Sequence, residues 1–109
     1  MSKGNILSPK EEIIMSCIWM HGPLRVKEII DLLPDPKPHF NTISTFVRGL
    51  QSKGWITHER NGNIHSYSAA IPINRYRDSA LDRIVNLFFE GDYAKLIDYT
   101  KAKLKDEDE

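Results

Sequence analysis

The sequence predicts a mainly α-helical protein with one small β-hairpin, arranged as helix, helix, helix, hairpin, helix, helix. Three observations predict it. Three short amphipathic segments succeed one another before residue 54, a pair of β-rich runs closes on Asn61-Gly62, and two longer amphipathic segments complete the chain. Three short helices with the third running straight into a hairpin is the winged helix-turn-helix order.

The first helix, about 9–20, is announced by Ser8-Pro9-Lys10-Glu11: an N-cap hydroxyl, proline at the first helical position and a glutamate three residues on. Behind it Ile13, Ile14, Cys17 and Ile18 recur at helical spacing, and His21-Gly22-Pro23 ends the run. Leu24-Arg25 reads as a brief extended link. Val26, Ile29, Ile30 and Leu33 then mark a second helix of about 26–33. The segment Pro34-Asp35-Pro36-Lys37-Pro38 cannot be helical, because its prolines remove donors and push their neighbours extended, so it is a stiff connector.

A third helix starts between His39 and Asn41 and ends at Lys53-Gly54, with Ile43, Phe46, Val47 and Leu50 on its apolar side. Strands are expected over 55–60 and 64–68, joined at Asn61-Gly62. Ala80, Leu81, Ile84, Val85 and Phe88 define a helix of about 73–89, and Tyr93, Leu96, Ile97 and Leu104 another of about 93–104. The domain organisation expected is a winged-helix domain over 1–71, a helical dimerisation region over 72–105 and an acidic, frayed tail over 106–109.

Composition narrows the classes. The 109 residues are 40 % apolar, enough for one modest core. The longest apolar runs fall far short of the roughly 18–20 residues of a spanning helix, so no membrane insertion and a cytoplasmic location are expected. One cysteine, Cys17, permits no internal disulfide and no cysteine metal cluster, and the surrounding isoleucines suggest a buried small hydrophobe. The four histidines lack metal-ligand spacing; His58 and His65 can face each other across the hairpin, but two ligands do not make a site. No nucleophile motif or phosphate loop is present, so neither an enzyme nor a cofactor is expected. Trp19, Trp55 and Tyr67 read as core or core-edge aromatics.

Net charge is zero, yet it is unevenly spread. Residues 1–70 carry eight Lys/Arg against six Asp/Glu, residues 71–109 seven against nine. Between Lys37 and His65 the cations Lys37, Arg48, Lys53 and Arg60 meet only Glu59. The polar side of the third helix carries Asn41, Thr45, Arg48 and Ser52, flanked by Ser44 and Gly49, without an acid. A solvated face of this length ordinarily carries Glu–Lys pairs. Asn, Thr, Ser and Arg are instead side chains suited to base edges and phosphates. On the hairpin, Arg60, Asn63 and His65 are candidates for contact with phosphate or the minor groove, Arg60 the better for phosphate; Asn61 reads as a turn former. Gly49 costs the helix about 1 kcal/mol relative to alanine, which is drift or a sign of close approach by another helix or by DNA.

The two C-terminal helices would leave Leu81, Ile84, Val85, Phe88, Phe89, Tyr93, Leu96 and Ile97 largely wet if they stood alone. Packing on the same pair from a second copy removes this cost, and a two-fold dimer presents two recognition helices to two half-sites. The sequence therefore predicts a homodimer on double-stranded, palindromic operator DNA. A winged-helix module that binds only protein is the alternative.

These residues also resemble a known family. Ser8-Pro9-Lys10-Glu11-Glu12 with Ile14-Met15 and Ile18-Trp19, then Val26-Lys27-Glu28-Ile29, and above all Asn41-Thr42-Ile43-Ser44-Thr45-Phe46-Val47-Arg48-Gly49-Leu50 followed by Lys53-Gly54, are similar to the BlaI/MecI penicillinase-repressor pattern. Gly62 and Tyr67 fall where the family's wing glycine and tyrosine fall, and the similarity spans about residues 6–97. The resemblance implies a dimeric winged-helix repressor with DNA contacts at Thr42, Ser44, Thr45 and Arg48. Some members are inactivated by a sensor protease that cuts in the first C-terminal helix, which here corresponds to Asn86-Leu87-Phe88-Phe89. The copper-responsive branch uses a C-terminal multi-cysteine motif, which this chain lacks. The Pro34–Pro38 connector and Gly49 depart from the family pattern.

Overall fold

In the computed structural model, residues 6–108 are described, with side chains through Lys105. The elements are α1 (Pro9–His21), α2 (Val26–Leu32), α3 (Phe40–Ser52), β1 (Ile56–Asn61), β2 (Ile64–Ala69), α4 (Ile73–Phe88) and α5 (Tyr93–Asp108). They form two compact units, one ending at Ile73 and one beginning at Asn74.

α1 begins as its sequence dictates. The Ser8 hydroxyl accepts from the Glu11 amide at 3.2 Å, and the Ser8 amide donates to Glu11 Oε1 at 2.9 Å, so two otherwise orphan donors are satisfied reciprocally. Gly22, at φ 79°, closes the other end by donating to the Ile18 carbonyl. The inner stripe, however, is Ile14, Met15 and Ile18. Ile13 is 52 % exposed and Cys17 only half-buried, a rotation of the stripe relative to the spacing first read. Partial burial still pushes the Cys17 thiol above its ordinary pKa.

α2 contributes Val26 and Ile29, and ends one residue early because Leu33 is extended at its C-cap. Lys37 of the proline connector reaches back to the Asp31 and Leu33 carbonyls, placing a cation where the helix exposes unpaired acceptors. Leu24 proves to be more than a link. Its amide and carbonyl exchange hydrogen bonds of 3.0 and 2.8 Å with Tyr67, forming an isolated bridge beside the antiparallel β1–β2 ladder.

Val47 and Leu50 of α3 join Ile14, Met15, Ile18, Ile29, Trp55 and Ile56 in a core where each is at most 2 % exposed. Burial of each large apolar side chain stabilises the fold by roughly 1.5–3 kcal/mol. The Trp19 indole donates to the Ile71 carbonyl at 2.8 Å, fixing the chain as it leaves the hairpin.

The second unit is a helical pair. α4 stops at Phe88, where Glu90 (φ 57°) and Gly91 (φ 75°) reverse the chain and the Gly91 amide donates to the Val85 carbonyl at 2.9 Å. Asp92 opens α5 by accepting from the Ala94 amide at 2.9 Å. The Tyr93 hydroxyl donates to Asp82, whose carboxylate holds the phenol above its usual pKa, and the Phe89 and Tyr99 rings lie 5.7 Å apart. The backbone of α5 stays helical to Asp108, past the expected end near 104. Of the acidic tail expected over 106–109, Glu109 and the side chains of 106–108 lie outside the described residues.

The sharpest electrostatic feature of the first unit is the pair of Lys53 Nζ with Glu11 Oε2 at 2.8 Å. Burial alone would push the Glu11 carboxyl up; the Lys53 ammonium and the Ser8 amide outweigh it and leave the carboxyl below its ordinary value. A depressed carboxyl pKa stabilises the fold above the unfolded value and loses that contribution as pH falls through the folded value. Glu11→Gln is therefore expected to cost about 1 kcal/mol at neutral pH. In urea denaturation the gap to the parent protein should close as pH is lowered below the carboxylate range; a gap independent of pH would show that the charge is not what matters.

Candidate nucleic-acid interface

α3 is two-faced by spacing. Ile43, Val47 and Leu50 are buried with Phe46 at their edge, while Asn41, Thr42, Thr45, Arg48 and Ser52 are all exposed. No acidic residue lies anywhere in the helix. Its start is capped by His39, whose Nδ1 accepts from the Asn41 amide at 3.0 Å.

Two of the candidates are committed locally. The Thr45 hydroxyl donates to the Asn41 carbonyl at 2.8 Å, which commits its proton within the helix. Ser44 is half-buried rather than exposed, and its hydroxyl accepts from Arg48 Nη1 at 3.0 Å. Ser44 thus acts on the surface chiefly by holding the Arg48 guanidinium. Gln51, exposed three residues beyond Arg48, belongs to the same polar side and was not singled out from the sequence. A Cβ placed on Gly49 would meet nothing within 4 Å, so no other helix of this chain approaches there among the described residues.

The hairpin turn falls one residue later than expected. Asn61 pairs with Ile64, so the two loop residues are Gly62 and Asn63. Gly62 has φ 62°, and Asn63 is not among the positive-φ residues, which defines a turn with glycine at its first central position, type II′. Asn61 therefore ends β1 as a ladder residue. Arg60 Nε donates to the Gly62 carbonyl at 2.8 Å, bracing the turn while the guanidinium remains exposed; Asn63 is exposed at the tip.

His58 and His65 do meet, though diagonally, because the register places His65 opposite Arg60 and His58 opposite Tyr67. His58 Nε2 lies 2.7 Å from His65 Nδ1, with the rings stacked at 4.9 Å. Among the described residues no three His, Cys, Asp or Glu side chains cluster so as to hold a metal. None of their helices is long and apolar enough to cross a membrane.

In the second unit Phe88, Ile97, Tyr93 and Leu81 are 71, 50, 42 and 40 % exposed, and Ile84, Phe89 and Leu96 are half-buried. Val85 departs from the expectation. At 1 % exposure it is already buried within the single chain and has no surface to offer a partner. Leu87, Tyr99 and Leu104, each more than half exposed, extend the apolar surface instead.

A three-helix base with α3 followed by a braced hairpin defines a winged helix-turn-helix protein. The sequence profile of the penicillinase repressors matches residues 7–109, and the chain belongs to that family of transcriptional repressors. It is 28 % identical over 96 residues to the penicillinase repressor of Bacillus licheniformis, covering 84 % of this chain and 72 % of that protein. It is 31 % identical over 70 residues to an uncharacterised 16.5 kDa protein from the ptsI 3′ region of Latilactobacillus sakei, covering 62 % of this chain and about half (47 %) of that relative. Among solved structures, the DNA-binding domain of the repressor BlaI superposes with TM-score 0.58 at 28 % identity over 70 % of this chain and 94 % of the domain. The monomeric form of Bacillus licheniformis BlaI in complex with the blaP half-operator superposes with TM-score 0.57, at the same identity and coverage.

The turn geometry makes a direct prediction. Gly62→Ala forces an L side chain into positive φ and should destabilise the protein by about 1–2 kcal/mol, whereas Asn61→Thr, at a ladder position, should leave thermal stability intact. Thermal denaturation of the two variants separates this turn from one centred on Asn61-Gly62, for which Asn61→Thr would be the damaging change.

Proposed function

We propose that this protein is a cytoplasmic repressor that binds a palindromic operator as a homodimer. In this reading α3 enters the major groove with Asn41, Thr42, Thr45, Arg48 and Ser52, Ser44 orients Arg48, and Arg60 and Asn63 meet the backbone from the hairpin. The observation that carries it is the acid-free, exposed side of α3, held on a buried core and continued by a braced hairpin. The complex of the related BlaI with a half-operator supports DNA as the ligand.

The dimer is drawn from the second unit, where Leu81, Phe88, Tyr93 and Ile97 are large apolar side chains left in water by one chain. A second copy covers them and sets two α3 helices about one DNA turn apart. The exposed Leu87 and Phe88 at the end of α4 are also where cleavage by a sensor protease would sever this surface and release the dimer.

Arg48→Ala should weaken binding to DNA from the gene's own upstream region by about 1–3 kcal/mol, read by fluorescence anisotropy. Log affinity should fall by about 0.9 per log salt for each phosphate neutralised. Unchanged affinity in Arg48→Ala would remove that residue from the interface, and binding with no salt dependence would oppose the whole reading.

Gly49 gives an independent check with opposite signs. Gly49→Ala should raise stability by about 1 kcal/mol through helix propensity, since its Cβ meets open space in the free protein. If DNA backbone approaches there, the same variant binds more weakly; equal affinity would show that the glycine has no role in docking. For the dimer, Phe88→Glu combined with Ile97→Glu should shift sedimentation to the monomer mass while α3 and the hairpin stay folded.

A further inference from the structure

The proline connector has a structural consequence. Pro34, Pro36 and Pro38 line a cleft of about 220 Å³ in the first unit, together with Ile13 of α1 and Phe46 of α3. Proline offers no backbone N–H, so this lining presents carbon and fixed φ angles, and its shape is formed before any ligand arrives. Ile13, 52 % exposed, and the half-buried Phe46 leave apolar surface wet in the free protein.

Two polar side chains border the cleft, Lys10 and Thr42. Lys10 is exposed and forms no hydrogen bond or ion pair among the described residues. Thr42 belongs to the exposed side of α3. Size restricts the occupant further. An apolar cavity of about 150 Å³ accepts benzene, and pockets for drug-sized molecules begin near 300 Å³. The space here suits a single ring, or a branched chain of similar bulk, carrying a short arm. The lone cation at the rim suits an acid on that arm.

We propose that this cleft binds a small apolar carboxylic acid, its ring against the prolines, Ile13 and Phe46 and its carboxylate at Lys10, and that occupancy weakens DNA binding through Thr42. The binding step rests on the cleft alone; the effect on DNA rests also on the function proposed above. The acid and the DNA would compete for Thr42, which lines the cleft, so the coupling is negative and reciprocal.

The test uses the full chain with 4-fluorophenylacetate as probe, followed by fluorine NMR. A saturable response with Kd on the order of 1 mM or tighter is expected for a ligand of this size. Lys10→Gln should weaken the acid about five-fold and leave the neutral 4-fluorobenzyl alcohol nearly unaffected. Ile13→Asp, at an exposed position that keeps the fold, should abolish binding of the acid. Absence of a saturable response, or binding that neither variant alters, overturns the site. With DNA present, saturating acid should lower operator affinity several-fold in the parent protein and not in Ile13→Asp. Acid that binds in the cleft without changing DNA affinity overturns the effector role, and so does a ligand-free protein that binds no DNA, which separately refutes the function proposed above.

Discussion

The clamp between Glu11 and Lys53 organises the first unit. Glu11 caps α1 through Ser8, and with its second oxygen holds a lysine at the C-cap of α3. One carboxylate thus ties the first turn of α1 to the C-terminal end of α3, 42 residues away. Between these ends, Ile43, Val47 and Leu50 pack inward and set which side of α3 faces the core. The polar side is consequently presented at a defined angle, with Arg48 steadied by Ser44 and the hairpin following from the Gly54 turn.

The same constraint explains why α3 is so unequal in composition. Under the proposed function α3 buries one side and meets a polyanion with the other, which leaves no place for the Glu–Lys pairs that usually stabilise an exposed surface. It relies on packing, on the His39 cap and on the clamp at its end. Gly49 weakens it further, and the chain tolerates this because α3 is anchored from beneath.

Much of this was legible in the residues. Ser8-Pro9-Lys10-Glu11 announces its capping box, and the two sides of α3 follow from periodicity, because both signals are local. Non-local pairings were hidden. Nothing near Leu24 shows that it bridges to Tyr67, and nothing near Glu11 shows Lys53 as its partner. The sequence alone leaves the hairpin turn uncertain by one residue, since Asn61-Gly62 and Gly62-Asn63 both satisfy a two-residue loop; only the register, with Asn61 opposite Ile64, chooses. Spacing cannot choose the inner stripe of α1, because Ile13 and Met15 are both apolar and only the packed neighbours decide which turns inward. Spacing likewise places Val85 on a partner surface, although its own chain buries it.

Mapping backbone amide shifts on adding a duplex from the gene's own upstream region tests whether α3 and the hairpin carry the DNA. Perturbations should concentrate over Asn41–Ser52 and Arg60–His65, with two chains per duplex. Perturbations confined to other surfaces, with α3 silent, would contradict that role.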